Sequence, residues 1–468
     1  MHRLATLAAA VLLSLPVTPA FAAEARIPAT ALAEVDALRT QALADATGWQ
    51  VTESLTTEVG PRLAGSEADA RAVAWAVAKF KELGFDKVWT EPVTFPKWER
   101  RGEKAEVLGA HAQPLVVTAL GGSPGGTVEA EVVRFADLAA LQAAPAGSLA
   151  GKIAFLDYRM QPRRDGGDYA NGSGIRGRGP SEAIRKGAVA FVMRSAGTDA
   201  HRVPHTGITR FDEGLAPIPA AALSAPDADQ LARLAALGPT RVRLALDCGW
   251  NGEATSYNVI GEITGSRRPR EIVLMGGHLD SWDLGTGAID DAAGIGISMA
   301  AARLLKPLKP ARTLRVVAFA NEEQGLWGGR AYAQAHAGEI ARHVIAAESD
   351  LGAGRIYGFD TSAWESSKEA VARIAGALRP LGIAPMPGQG DPESDIGPMA
   401  RQGMAWAWLG HDATRYFDLH HNADDTLDKI DPEDLAQNVA AYAVFAWLAS
   451  ETEGGFGSQA KPALPARE

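Results

Sequence analysis

One cysteine, Cys248, stands in a chain of 468 residues. A lone thiol excludes an intrachain disulfide, a Cys-rich zinc finger and an iron–sulfur cluster. Basic residues are in deficit too: Lys plus Arg number 46 against 56 Asp plus Glu, a net charge of −10. Binding to nucleic acid or an acidic membrane needs a basic face, so neither partner is expected. Past the N-terminus no apolar run reaches the ~18 to 20 residues of a membrane span, and there is neither a heptad pattern nor an internal repeat. What is left is an ordinary globular composition, 46% hydrophobic and 22% charged, with about three domains' worth of chain at ~150 residues each. Such a length buries a large core without covalent staples.

The first residues read as a targeting segment. Met1-His2-Arg3 is a short positive start, Leu4 to Val17 is apolar, and Ala20-Phe21-Ala22 has the A-x-A form of a cleavage site. This three-part pattern predicts a signal peptide over 1–22, cleaved after Ala22, and a secreted or periplasmic protein.

The remainder divides by texture. Residues 23–103 read as helix and then short strands, Lys87 to Thr90 and Pro92 to Phe95, with Ser66 and Asp69 forming an N-cap and Gly84 a stop. Residues 104–250 read as a β-rich insert, in which short apolar runs such as 152–156 and 188–193 are broken by Gly and Pro. Within it Gly172-Ser-Gly174-Ile-Arg-Gly177 matches G-x-G-x-x-G, but no strand precedes it and Pro180 follows, so it reads as a flexible loop. Arg163, Arg164, Arg176 and Arg178 make that loop basic. From 251 to 452 apolar runs alternate with helical ones, which predicts an α/β fold with a mainly parallel central sheet flanked by helices. Asp431 and Pro432 open a terminal helix, and 453–468 reads as a flexible tail.

Four apolar runs of that last region end in polar clusters: His278 and Asp280, Glu322 and Glu323, Glu348 and Asp350, then His411, His420 and His421. Ligands of open α/β sheets bind beyond the carboxyl ends of strands, so these groups converge on one rim. Gathering so many carboxylates is costly without a cation, and the segments hold few of their own. Imidazole with carboxylate and no thiolate suits zinc, with cobalt or manganese as substitutes. The five candidates His278, Asp290, Glu323, Asp350 and His421 exceed the needs of one ion and suit two sharing a carboxylate. Asp290, just before a helix, could lie between the ions, and Asp280 is spaced to hold the second ring nitrogen of His278. His336 and His343 read as helix-surface residues.

Gly277-His-Leu-Asp-Ser281, Gly287-Ala-Ile-Asp-Asp291, Ala320-Asn-Glu-Glu-Gln-Gly325, Glu348-Ser-Asp350, Glu393-Ser-Asp395 and His421-Asn-Ala-Asp-Asp-Thr426 resemble, in order, the motif set of the co-catalytic zinc exopeptidases. That family includes bacterial leucyl aminopeptidase, aminopeptidase Y and carboxypeptidase Q. The variant His278-Leu-Asp-Ser-Trp-Asp283 and the doublet His420-His421 are most similar to the carboxypeptidase Q, or plasma glutamate carboxypeptidase, branch. The resemblance spans about 45–450, with 104–250 as an inserted protease-associated domain. It implies two zinc ions per chain, His278 and Asp350 on one, Glu323 and His421 on the other, Asp290 bridging them and Glu322 as general base. Asn321 departs from the family's common Ala, with an expected effect on packing only.

The implied activity is hydrolysis of dipeptides or short peptides by a secreted or periplasmic exopeptidase of the carboxypeptidase or dipeptidase type. An aminopeptidase is the alternative. A glutaminyl cyclase-like transferase is disfavoured by the five-ligand set, and a non-catalytic binding protein by retention of Glu322. The sequence leaves monomer or homodimer open. A peptide's ammonium would find carboxylates in Asp391, Glu393 and Asp395, and its carboxylate would need a cation. Arg163, Arg164, Arg176, Arg178 and Arg415 are the candidates, with His420 left beside the substrate.

Overall fold

The computed structural model describes residues 24–460, so the expected signal peptide lies outside the described residues. Eleven strands form one mixed sheet and three a smaller one. The N-terminal strand β1 (Lys87–Val107) is followed by β2 (Gln113–Leu115), β3 (Val117–Ala119), β4 (Gly126–Phe135), β5 (Ile153–Leu156), β6 (Ala190–Arg194), β7 (Ala220–Leu223) and β8 (Arg241–Ile263). Then come β9 (Arg268–His278), β10 (Arg312–Phe319) and β11 (His343–Glu348).

The strands β11, β9 and β10 are parallel neighbours, and β8 runs antiparallel beside β10. Every residue of β10 is buried, as expected of a strand covered on both faces, and its second half, Val316 to Phe319, is a continuous apolar run. The helices Ala293–Leu305 and Pro432–Glu451 pack together against β9 and β10. Asp431 caps the second through a 2.8 Å bond from the Glu433 amide, with Pro432 at the first position. The smaller sheet, β12 (Ile356–Thr361), β13 (Ala384–Pro385) and β14 (Ala407–His411), joins β11 by a bridge between Ala346 and Trp406. Among the described residues no helix is long and apolar enough to cross a membrane.

The expected borders 103/104 and 250/251 both fall inside strands. β1 and β8 pair antiparallel from Lys87–Glu262 to Val107–Val242, with irregularities at Pro96/Trp98 and Arg100/Gly102. One ribbon therefore runs through both halves, and the two short strands read at 87–95 are the start of one long strand. The insert is more than β-rich: β4, β5, β6 and β7 are parallel neighbours with helices between them, an α/β layer of its own.

Two expectations fail for packing reasons. The Gly172–Gly177 stretch is no loop but the interior of a helix, Tyr169–Arg185. Two of its glycines are demanded by neighbours: a Cβ on Gly172 would lie 2.5 Å from Met160 Sδ, and one on Gly179 2.6 Å from the Phe191 ring. Pro180 has no N–H for the carbonyl four residues back, and Thr209 Oγ1 donates to that Arg176 oxygen instead, at 2.7 Å. The segment 453–460 is likewise no loose tail. Glu453 pairs with Arg26, Phe456 is fully buried, and the Ser458 hydroxyl donates to the Val344 carbonyl.

His343 also departs from its reading as a surface residue: it opens β11 and is fully buried. Its Nδ1 donates to the Glu339 carbonyl at 3.1 Å, which leaves Nε2 to accept from the Tyr332 hydroxyl at 2.8 Å. Burial pushes the imidazole down to about 4. The unfolded chain therefore takes up the proton first, near 6.5, and the stability present above that pH is lost as pH falls toward 4. His343→Gln is expected to be less stable than wild type at pH 7.5, with the gap narrowing by about 2 kcal/mol at pH 5. Denaturant midpoints of both proteins at the two pH values measure it, and a constant gap would assign the acid sensitivity elsewhere.

Candidate metal centre

The end of β9 delivers His278, and the next turn returns the chain beneath it. A Cβ on Gly277 would collide with Asp291 Oδ2. Without one, that oxygen accepts from the His278 amide at 3.0 Å, while Asp291 Oδ1 accepts from Gly294 N, also at 3.0 Å, at the start of the helix Ala293–Leu305. Asp290 lies in the middle of the rim, and its peptide bond to Asp291 is cis. Its Oδ1 lies 2.9 Å from His278 Nε2 and its Oδ2 3.3 Å from His421 Nε2. Asp350 Oδ1 stands 3.2 Å from the same His278 nitrogen, and Glu323 Oε2 2.8 Å from that of His421. The five residues expected as ligands thus meet as two sets, His278 with Asp350 and His421 with Glu323, with Asp290 facing both.

The donor set fits cations. His278 Nδ1 is 3.0 Å from the Asp280 carbonyl and His421 Nδ1 is 3.3 Å from that of Thr206. A carbonyl only accepts, so both Nδ1 atoms carry hydrogen and each Nε2 is left for a metal. Asp290 Oδ2 and Glu323 Oε1 are buried with no hydrogen-bond partner among the described residues. Beyond imidazole, the buried Arg62 guanidinium is the cation beside these acids among the described residues, interacting with Asp425, Asp280, Asp291 and Asp290. Burial and then Asp350 push Glu322 well above the usual carboxylate range, and burial pushes up Asp291, Glu348 and Asp395 as well. Burial alone would lower His421, but Glu323 and Asp290 raise it to about 9. Asp290 is held well below its usual range against burial by its bonds to His278 and His421.

Several residues take different places from those expected. The Asp280 carbonyl, not its carboxylate, holds His278. The carboxylate oxygen Oδ1 is 3.7 Å from that ring and accepts from the Glu322 amide at 3.0 Å. Asn321 does more than fill space: its φ of 49° is left-handed, a conformation Asn tolerates better than most residues, and its Oδ1 accepts from Gln324 N at 3.3 Å. His420 stacks on His421 with ring centroids 3.4 Å apart, inside a box of Tyr169, Tyr416 and Phe417. Its Nε2 stands 3.6 Å from Asp290 Oδ2, so it faces the centre and not only the substrate space. Asp395 is buried and accepts from Gly329 N at 2.9 Å, within the protein instead of on a binding surface.

The arginines divide. A cleft of about 920 Å³, lined by Leu351 beside Asp350 and by Tyr169, has Arg163 and Arg164 on one wall and Asp391 and Glu393 among its other residues. Arg164 pairs with Asp412 at 2.9 Å and lies 3.8 Å over the Tyr357 ring. Arg163 is exposed and makes no ion pair among the described residues. Arg176 is buried in its helix and spends its guanidinium on Thr206 O, Ile208 O and the Tyr169 hydroxyl. Arg178 lies on that helix's outer face, bonded to Gly174 O, and Arg415 lines a neighbouring cleft.

Two residues escaped the sequence reading. Tyr416 packs its ring against His420 with centroids 5.1 Å apart, and burial and then Asp290 and Asp350 push its phenol up. Only its place just before the doublet hinted at this. Arg62 gave no signal at all. It is fully buried and donates to the carbonyls of Leu279 at 2.5 Å, Thr286 at 2.6 Å and Gly287 at 2.9 Å, fixing the loop between His278 and Asp290. Asp425 holds the other end, with Oδ1 2.7 Å from the amides of Ala288 and Ile289. Burial and then Asp290 raise Asp425 to about 8.

Comparison with known proteins gives the family and the fold. The family described as "Peptidase family M28" matches residues 258–446. Human carboxypeptidase Q is 33% identical over 405 residues, 85% of this chain and 84% of that protein. A peptidase M28 precursor from Shewanella amazonensis is similar in structure, with a TM-score of 0.88 and 47% identity over 93% of this chain and 99% of its own. A zinc aminopeptidase from Bacillus subtilis, 20% identical over 85% of this chain and 94% of its own, shares the fold with a TM-score of 0.61.

Removing the Arg62 guanidinium strands three carbonyls and takes a cation from a buried acidic region. Arg62→Met is expected to cost about 3 kcal/mol or more. Denaturant midpoints of the two proteins in excess chelator measure this, and an unshifted midpoint would show that the 279–287 loop holds itself.

Proposed function

This chain belongs to peptidase family M28 and is a zinc-dependent exopeptidase, and on that premise we propose that it holds two zinc ions and cuts dipeptides or short peptides from the carboxyl end. One observation carries the metal reading: Asp290 turns one oxygen to His278 and the other to His421. His278 and Asp350 would hold one ion, Glu323 and His421 the other, and Asp290 both. Bound zinc supplies Lewis acidity toward the scissile carbonyl and the attacking water.

The proton work falls to Glu322. It is half-buried at the rim, its amide is pinned by Asp280, and a carboxylate there is of the type that serves as general base. Its carboxylate takes a proton from the attacking water as oxygen bonds to carbon. It then returns that proton to the peptide nitrogen as the C–N bond breaks.

The cleft supports the choice of substrate. Arg163 is a cation without an internal partner, and Asp391 and Glu393 share the same cavity. A free carboxylate is held by the first and a free ammonium by the others, which favours short zwitterionic peptides. Export through the 1–22 segment belongs to the same reading, since extracytoplasmic peptides are its natural supply.

Metal analysis is expected to give two zinc per chain. Glu322→Gln keeps both ions and loses turnover by ~100-fold or more, whereas Glu323→Gln loses one ion. The reverse pattern would exchange the two roles. Amidating the C-terminus of a good dipeptide is expected to lower kcat/KM about tenfold, the scale of one ~1.4 kcal/mol contact. Arg163→Ala should match that loss on the free dipeptide and add nothing on the amide. Full activity on amides and arylamides would make the enzyme an aminopeptidase.

A further inference from the structure

The ligand doublet is held by the insert, and one buried histidine there has no part in the reaction described above. His421 has a φ of 63°, a left-handed conformation rare for a residue with a side chain. Something must keep it there. Facing it is the segment 198–206 of the insert, whose two ends bond to the 417–421 turn. Thr198 N donates to Phe417 O at 3.0 Å and Thr206 N to His421 O at 3.0 Å. Between them sits His205, 1% exposed. Its Nδ1 is 2.6 Å from the His420 carbonyl, which only accepts, so this nitrogen carries the hydrogen. Its Nε2 is 2.8 Å from Asp199 Oδ1, which fixes the plane of the ring. Ser195 Oγ anchors the His205 amide at 2.8 Å.

We propose that His205 is a positioning residue for the metal centre: by gripping the His420 carbonyl it holds His421 in its left-handed conformation, so that Nε2 faces Glu323 and Asp290. The insert then sets the affinity of one zinc position, that of Glu323 and His421, and leaves the other alone. The proposal rests on the reading of His421 as a ligand. Partners that orient a ligating histidine commonly contribute 10- to 100-fold in metal affinity, and His205 acts one step further back, through the backbone.

Two near-isosteres separate its Nδ1 bond to His420 from its Nε2 contacts with Asp199 and, at 3.1 Å, Asn422 Nδ2. Asn places an amide N–H where Nδ1 stands and loses the reach to Asp199. Gln reaches the Nε2 position and loses the bond to His420. Metal-free wild type, His205→Asn, His205→Gln and His205→Ala are titrated with zinc against a competing chelator, and metal-free melting curves are recorded alongside. Gln and Ala are expected to weaken one of the two zinc equivalents about tenfold or more, with the other unchanged, while Asn stays within about threefold of wild type. Equal losses in Asn and Gln, losses at both equivalents, or wild-type affinity in Gln would overturn the proposal. If Ala does not fold, the Asn and Gln pair decides. Wild type that binds no second equivalent would instead remove the premise about His421.

Discussion

Asp290 has to present two oxygens to two imidazoles at once, and the surrounding architecture serves that demand. A carboxylate with one free rotation about its last bond meets both rings only if its backbone is fixed. Arg62 grips the loop before it, Asp425 the amides just ahead of it, and Asp291 ties the turn to both His278 and the following helix. Glycine at 277 gives Asp291 the room to do so. The same crowding explains the electrostatics. Carboxylates packed this closely keep their charge only beside something positive, and in their own company most are driven toward the neutral form. The site is built around a charge that its own side chains do not supply.

The insert contributes to that site from two directions. Its 163–169 stretch forms a wall of the cleft, with Arg164 laid on Tyr357 and Tyr169 stacked on Phe417 at 4.6 Å. Its 198–206 stretch grips the turn that carries the histidine doublet. A segment that reads as an accessory to the catalytic half is, in contact terms, half of the catalytic rim.

The legible parts of this protein were those in which one local rule decides. Apolar runs ending in His, Asp and Glu put the candidate ligands at strand ends, because a strand's direction fixes where its last side chains emerge. Ser66 and Asp431 announced helix starts because a cap is a matter of a few adjacent residues. The illegible parts depend on distant partners. Gly172 and Gly179 look like loop residues until Met160, Phe191 and Thr209 are in place, and only then does a glycine-rich, proline-bearing stretch gain by being helical. Arg62 is separated by more than two hundred residues from the carbonyls it holds. Asp280 was assigned by the right residue and the wrong atom, since spacing gives proximity but not whether backbone or side chain makes the bond.

The β1–β8 ribbon gives the molecule a mechanical character. Paired strands bend and twist readily, but sliding one along the other breaks every rung at once. The insert therefore cannot swing on a slack tether. It can only tilt, and the two irregularities at Pro96/Trp98 and Arg100/Gly102 are where the rungs are already interrupted. β8 is also bonded to β10 from Val259 to Ile263, so the ribbon that carries the insert and the strand that leads into Glu322 and Glu323 belong to one continuous ladder.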